Sequence, residues 1–202
     1  MIDSKILPLF PINVTLSKLG RKFTENEKKS FVENQKIKTR AVANYFSTNN
    51  KVLEDPNLLD LKSFIQQKLD FYLKEIISPI SKSVELYITE SWLAETHKDQ
   101  HHHAHSHSNS IISGVLYIDT IEKNGIQLFS PHKSIIDISR DNRTKDYKFI
   151  ELIVSDGDLI LFPSYLMHSV KKNNSNKTRL SLAFNSFVKG DISTLPLNKL
   201  KI

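Results

Sequence analysis

Beyond Val84 the apolar residues of this chain stop recurring at helical spacing and begin to alternate. Val84, Leu86 and Ile88 interleave with Glu85, Tyr87 and Thr89, and short apolar runs recur at Ile111–Ile118, Ile126–Phe129, Phe149–Val154 and Leu159–Phe162. A period of two sends successive side chains to opposite faces of an extended chain, so these runs are strands. The last run sets Leu180, Leu182 and Phe184 against Ser181, Ala183 and Asn185, giving one apolar face and one small, polar face. Gly114 falls among the runs as a bend or close approach, Gly125 and Gly157 as turns. Many short strands with such punctuation indicate a jelly roll or barrel.

The front of the chain follows a different period. Ile6 to Leu16 reads as extended, because two prolines and β-branched residues disfavour a helix there. A helical stretch follows at about Glu25 to Glu33. A clearer helix runs from about Pro56 to Ile77, with Asp55 as cap, Pro56 in the first turn, and Leu58, Leu61, Ile65, Leu69, Tyr72 and Ile76 on one face. Pro79 ends it. Helices ahead of strands make an α+β fold, read as one domain over 1–202: an N-terminal strand and supporting helices to about 83, then a β core over about 84–190. At 202 residues such a chain can bury about 70% of its unfolded surface.

Composition narrows the chemistry. With no cysteine, a bound metal must take nitrogen or oxygen donors, the set that suits iron, manganese, nickel or zinc. No apolar run reaches about 18 residues, and the first eleven residues lack the pattern of a signal peptide, so a cytoplasmic location without a membrane partner is expected. The net charge of +6 sits at the two ends, with basic residues interspersed singly among polar ones. That pattern favours solvated faces over a nucleic-acid partner. The N-terminal strand and the long helix offer surfaces for a homodimer.

Six of the eight histidines lie between His97 and His107. If the chain is extended from His105 to Tyr117, then His105, His107, Ser113 and Tyr117 share a face, and His-x-His is a ligand pair. A turn at Asn173 and Asn174 would set His168 almost opposite Arg179. Arg179 and Ser181, two apart in the last strand, would then grip a carboxylate, and the small residues beyond leave room for a ligand. A buried arginine needs an anion, either from a ligand or from a protein carboxylate such as Asp158. Tyr117 reads as a ligand contact or a core aromatic, Trp92 as lining a substrate mouth or filling the core. Met167 reads as packing. His101, His102 and His103 read as a solvated approach loop, and His97 and His132 as uninvolved.

Several blocks together carry a resemblance: Leu9-Phe10-Pro11, Ser91-Trp92, the stretch from His105 through Ser113-Gly114-Val115-Leu116-Tyr117, Leu161-Phe162-Pro163-Ser164-Tyr165-Leu166-Met167-His168, and Arg179-Leu180-Ser181-Leu182-Ala183-Phe184-Asn185. Their order and spacing resemble the 2-oxoglutarate- and Fe(II)-dependent oxygenases, in the small group frequent in marine bacteria and their viruses; a phage-encoded member would act in the host cytoplasm. The resemblance implies a double-stranded β-helix, cupin-like in its jelly-roll form. It implies His105 and His168 as iron ligands, Arg179 on the distal carboxylate of 2-oxoglutarate, and Ser181 and Tyr117 as helpers. It also implies dioxygen as co-substrate and hydroxylation, prolyl hydroxylase-like by analogy, of an unidentified small molecule or protein side chain. Most of the superfamily places a carboxylate two residues after the first histidine, completing a facial triad. Here that position is His107, read as the third ligand. A non-catalytic metal-binding or sensing module on the same barrel is the alternative. A metal hydrolase is disfavoured, because no suitably placed Glu accompanies the histidines.

Overall fold

The structure is a computed structural model that describes residues 9–122, 124–132, 148–192 and 200–202. Its first strand, β1 (Thr15–Lys18), falls at the end of the segment expected to be extended; Ile6, Leu7 and Pro8 lie outside the described residues. Thr24 opens α1 (Glu25–Lys36) with a capping box, its hydroxyl accepting from the Glu27 N–H while the Glu27 carboxylate accepts from the Thr24 N–H. A short hairpin follows, β2 (Lys38–Arg40) and β3 (Tyr45–Ser47). Asp55 caps the long helical segment by accepting from the Asn57 N–H. This segment begins as a 3-10 turn at Pro56–Leu58, continues as α2 (Leu59–Tyr72) and widens into a π-helical turn at Leu73–Ile77. Ser78, at φ 51°, closes it before Pro79.

Eight further strands complete the molecule: β4 (Glu85–Thr96), β5 (His102–His105), β6 (Ile112–Asp119), β7 (Gly125–Phe129), β8 (Phe149–Ile153), β9 (Asp158–Pro163), β10 (His168–Val170) and β11 (Arg179–Lys189). They form a larger sheet in the order β1-β9-β6-β11-β4-β3-β2 and a smaller one in the order β5-β10-β7-β8, antiparallel throughout. This is the double-stranded β-helix that the resemblance implies, a form of the jelly roll expected from the alternation, with helices on one side.

The alternation in β11 divides the core in two. Leu180, Leu182 and Phe184 join Leu93 and Leu116 on the outer face of the larger sheet, where Leu61, Ile65, Leu69 and Tyr72 of α2 cover them. Each such side chain contributes about 1.5–3 kcal/mol by leaving water. Gly114 lies on this face because the Phe184 ring takes its side-chain space: a Cβ there would fall 2.2 Å from Cζ. On the inner face, Ser181 and Ala183 stand opposite Tyr117 and Val115 of β6 and opposite Ala94 and Trp92 of β4. The second cluster, Tyr117, Ile126, Leu128, Ile160, Phe162 and Leu166, fills the space between the sheets. No helix among the described residues is long and apolar enough to cross a membrane.

Two expected connections differ. The chain is not extended from His105 to Tyr117: β5 and β6 belong to different sheets, and the loop between them turns through Asn109 at φ 55°. Backbone bonds from His107 N–H to the Ser164 carbonyl (2.9 Å) and from Ile111 N–H to the Ser186 carbonyl (2.9 Å) hold this loop down. Nor is there a hairpin about Asn173 and Asn174, since β10 lies in the smaller sheet and β11 in the larger. Asn173 is instead a crossover post. Its backbone bonds Asp99 and Gln100 (2.7 and 2.8 Å), and its amide donates to the Thr96 and Lys177 carbonyls (3.0 and 2.8 Å).

Candidate metal centre

The partner that faces His168 is His105, directly opposite it where β10 pairs with β5, and the two rings are 4.2 Å apart. Each is oriented through its Nδ1, which lies 2.9 Å from the His103 carbonyl in His105 and 3.0 Å from the Leu166 carbonyl in His168. A carbonyl only accepts, so Nδ1 carries the proton and Nε2 keeps its lone pair for a ligand. His107 reaches the same point from the loop. Its ring lies nearly parallel to that of His168 at 5.1 Å and packs beside Trp92 at 5.9 Å. One ring nitrogen from each of His105, His107 and His168 falls within 4.8 Å of the other two. With metal–imidazole bonds of about 2.0–2.1 Å, small ring rotations place all three on one ion.

The loop that delivers His107 rests on a polar network. Ser113 Oγ donates to Asn185 Oδ1 at 2.7 Å and meets Ser164 Oγ at 2.8 Å; Ser164 Oγ donates to Ser110 Oγ at 2.7 Å, and Asn185 donates to Glu90 at 2.6 Å. This support joins segments far apart in the chain and was not expected from the sequence. The shared odd-numbered face of Ser113 and Asn185 was its only trace.

Burial makes these imidazoles weak bases. It pushes His107 down to about 4 and His168 to about 3, with neighbouring histidines adding to the effect, and it lowers His105 as well. All three are therefore neutral, with free lone pairs, at neutral pH. Because their folded values lie below the ordinary 6.5, the unfolded chain takes up more protons as pH falls below about 6.5. The metal-free protein should accordingly lose stability between about pH 6.5 and 4, steeply because several rings act together. Urea midpoints across that range measure it, and a flat profile would contradict the buried placement.

Arg179 enters the same cavity from the larger sheet, with 4% of its surface exposed and its guanidinium centred 5.2 Å over the Tyr117 ring. Asp158, the protein carboxylate that might have neutralised it, bonds Lys18 instead at 2.7 Å, and no carboxylate among the described residues pairs with Arg179. The Tyr117 hydroxyl is fully buried and, apart from the adjacent Arg179 guanidinium, has no hydrogen-bond partner among the described residues. Burial pushes this phenol up to about 12, against the pull of the Arg179 cation, so it stays a donor. Ser181 lines the cavity two residues from Arg179. A buried cation, a buried hydroxyl and a nearby serine fit the carboxylate of a small acid.

The other expectations divide. Trp92 lines the cavity, packed between Phe46 (6.4 Å) and His107, and is half-buried. His97 is engaged elsewhere, its ring nitrogens 2.7 Å from Glu95 and 3.0 Å from the Thr178 hydroxyl. Met167, expected to pack, is 43% exposed. His101 is exposed, as an approach loop implies; His103 is exposed too but belongs to β5, not to a loop, and His102 of the same strand lines the cavity itself, its ring stacked on that of His105 at 4.2 Å. Burial, together with the other histidines and Arg179, lowers it to about 2.

Fold and site thus define a class: a double-stranded β-helix whose open cavity gathers three imidazoles near a buried arginine. Residues 90–185 match the model of a family described as putative 2OG-Fe(II) oxygenase. No curated protein sequence matches the chain. Among solved structures, HygX from Streptomyces hygroscopicus, with nickel and 2-oxoglutarate bound, is similar at a TM-score of 0.59 and 13% identity, over 87% of this chain and 82% of that one. An oxidoreductase of the 2OG-Fe(II) oxygenase family from Burkholderia pseudomallei aligns at 0.58 and 13%, over 86% and 83%. A prolyl-4-hydroxylase from Pseudomonas putida aligns at 0.55 and 13%, over 86% and 92%. At such identities the likeness is one of fold.

Proposed function

We propose that this protein is an Fe(II)- and 2-oxoglutarate-dependent dioxygenase. The observation that carries the reading is the triad of ring nitrogens within 4.8 Å, in one cavity with an arginine that has no carboxylate partner among the described residues. His105, His107 and His168 would hold the metal, the first and last through Nε2. Arg179 and Ser181 would bind the carboxylate of 2-oxoglutarate remote from the metal, with Tyr117 as an additional donor. When bound, Fe(II) supplies the reduction of dioxygen: one oxygen atom goes into succinate as 2-oxoglutarate loses carbon dioxide, and the other enters a substrate C–H bond.

The chain's own residues set the terms of that chemistry. Three neutral imidazoles leave the metal one charge more positive than two histidines and a carboxylate, which strengthens its attraction for a dianion. Carbonyl bonds to His105 and His168 hold two ligands in register before the metal arrives. Phe162, packed edge-on to His168 at 4.8 Å, and Ile126 keep the inner side of the cavity apolar, where every charge interaction is stronger. For the substrate we propose a prolyl hydroxylase-like reaction on a small molecule or protein side chain. The indole of Trp92, which lines the cavity beside His107, suits a saturated ring, and the fold likeness to the Pseudomonas putida enzyme supports the same choice.

Adding Fe(II) and then 2-oxoglutarate to the protein under anaerobic conditions should produce a weak visible charge-transfer band, and admitting oxygen should yield succinate. The absence of both would sink the proposal. Metal uptake indifferent to 2-oxoglutarate would identify a non-catalytic metal-binding module instead.

A further inference from the structure

The strand that carries His105 is irregular at the residue the sequence had left in the approach loop. His105 lies opposite His168 and His102 opposite Val170, so three residues of β5 advance against two of β10. In a regular strand His102 and His105 would face opposite sides. The extra residue of this bulge reverses the phase and turns both inward, a device that strands use beside sites to re-aim a side chain. The result is measurable: the two rings stack at 4.2 Å with 29° between their planes, and Phe46 closes the far side of His102 at 5.3 Å.

Placed this way, His102 lines the cavity with Arg179, Ser181 and His168. It stands outside the trio whose nitrogens converge within 4.8 Å, so it is a neighbour of the metal ligands and not one of them. Its ring has no hydrogen-bond partner among the described residues, whereas His105 and His168 are both tied to carbonyls. His105, His168 and Arg179 line the same cavity as the His102 ring. His102 therefore faces the cavity shared by the candidate metal ligands and the arginine, which the carbon chain of 2-oxoglutarate must occupy if one end meets the metal and the other meets Arg179.

We infer that His102 is a further 2-oxoglutarate-binding residue, donating its ring N–H to a carboxylate oxygen of the co-substrate. This rests on the 2-oxoglutarate reading proposed above. The bulge is then a specificity device, set into β5 to bring a fourth imidazole to the co-substrate without adding a fourth ligand to the metal.

Calorimetric titration of the Ni(II)-loaded protein with 2-oxoglutarate tests it, alongside titration of the metal-free protein with Ni(II) alone. His102→Phe keeps the ring stack but loses the donor, and should weaken 2-oxoglutarate binding about tenfold, the worth of one hydrogen bond to a charged group, with Ni(II) affinity unchanged. His102→Gln restores a donor and should recover most of the loss. Equal 2-oxoglutarate affinity in the wild type and His102→Phe would overturn this inference and leave the parent reading standing. A wild type that binds Ni(II) but not 2-oxoglutarate would overturn both. A parallel fall in Ni(II) affinity in His102→Phe would make His102 a ligand and would equally overturn it.

Discussion

Replacing Arg179 by methionine is expected to move ligand binding and stability in opposite directions. Arg179 is buried with no carboxylate among the described residues beside it, and burial pulls its pKa down while Tyr117 pulls it up. Its charge is therefore a cost to the metal-free, ligand-free fold. Methionine has a similar length and no charge, so Arg179→Met should raise stability by about 1–3 kcal/mol. The same change removes a bidentate, charge-assisted contact, and 2-oxoglutarate affinity should fall about 100- to 1000-fold, or roughly 3–4 kcal/mol. Metal affinity should hold. Thermal denaturation of the metal-free protein and calorimetry with the Ni(II)-loaded protein read the two effects separately. A lower melting temperature together with intact 2-oxoglutarate binding would mean that Arg179 is a structural residue with its own internal partner.

His168→Ala should produce the opposite profile. His168 is 5% exposed and central to the trio, facing His105 at 4.2 Å and His107 at 5.1 Å. Losing this nitrogen leaves two ligands, one of them on a loop. Altering a residue that merely supports a ligand costs about 10–100-fold in metal affinity, so losing the ligand itself should cost more than about 100-fold. The visible band with Fe(II) and 2-oxoglutarate should disappear with it. Circular dichroism of the metal-free variant separates this from unfolding, since the alanine also opens space beside Phe162. Wild-type Ni(II) affinity in a folded His168→Ala protein would remove the triad from consideration.

The two variants probe parts of the site that were legible to different degrees. Arg179 and Ser181 could be placed by alternation alone, because β11 pairs regularly with β4 from Arg179 to Asn185 and its apolar residues had only one core to join. His105 and His107 were correctly brought together, but through a strand that does not exist. The loop from 106 to 111 turns at Asn109 and is held by Ser164 and Ser186, residues more than fifty positions away. His168 was set beside Arg179 through a hairpin, whereas the chain crosses between sheets there and the two meet across the cavity. His102 was misplaced because strand periodicity assumes an unbroken phase, and a bulge shifts that phase by one residue with no local signature in the sequence.

Local pattern determined the broad outcome. The change of period at Val84, the cap at Asp55 with its apolar helix face, and the two faces of β11 each depend on residues a few positions apart, within reach of propensity and alternation. The ligand set depends on pairings between distant segments: His105 with His168, Ser113 with Asn185, and Asp158 with Lys18 in place of Arg179. Such contacts follow from how two sheets close over a shared core. That closure left Arg179 without a carboxylate partner among the described residues and turned His102 into the cavity, since a charge loses its partners, and a ring turns inward, only when the surrounding elements are in place.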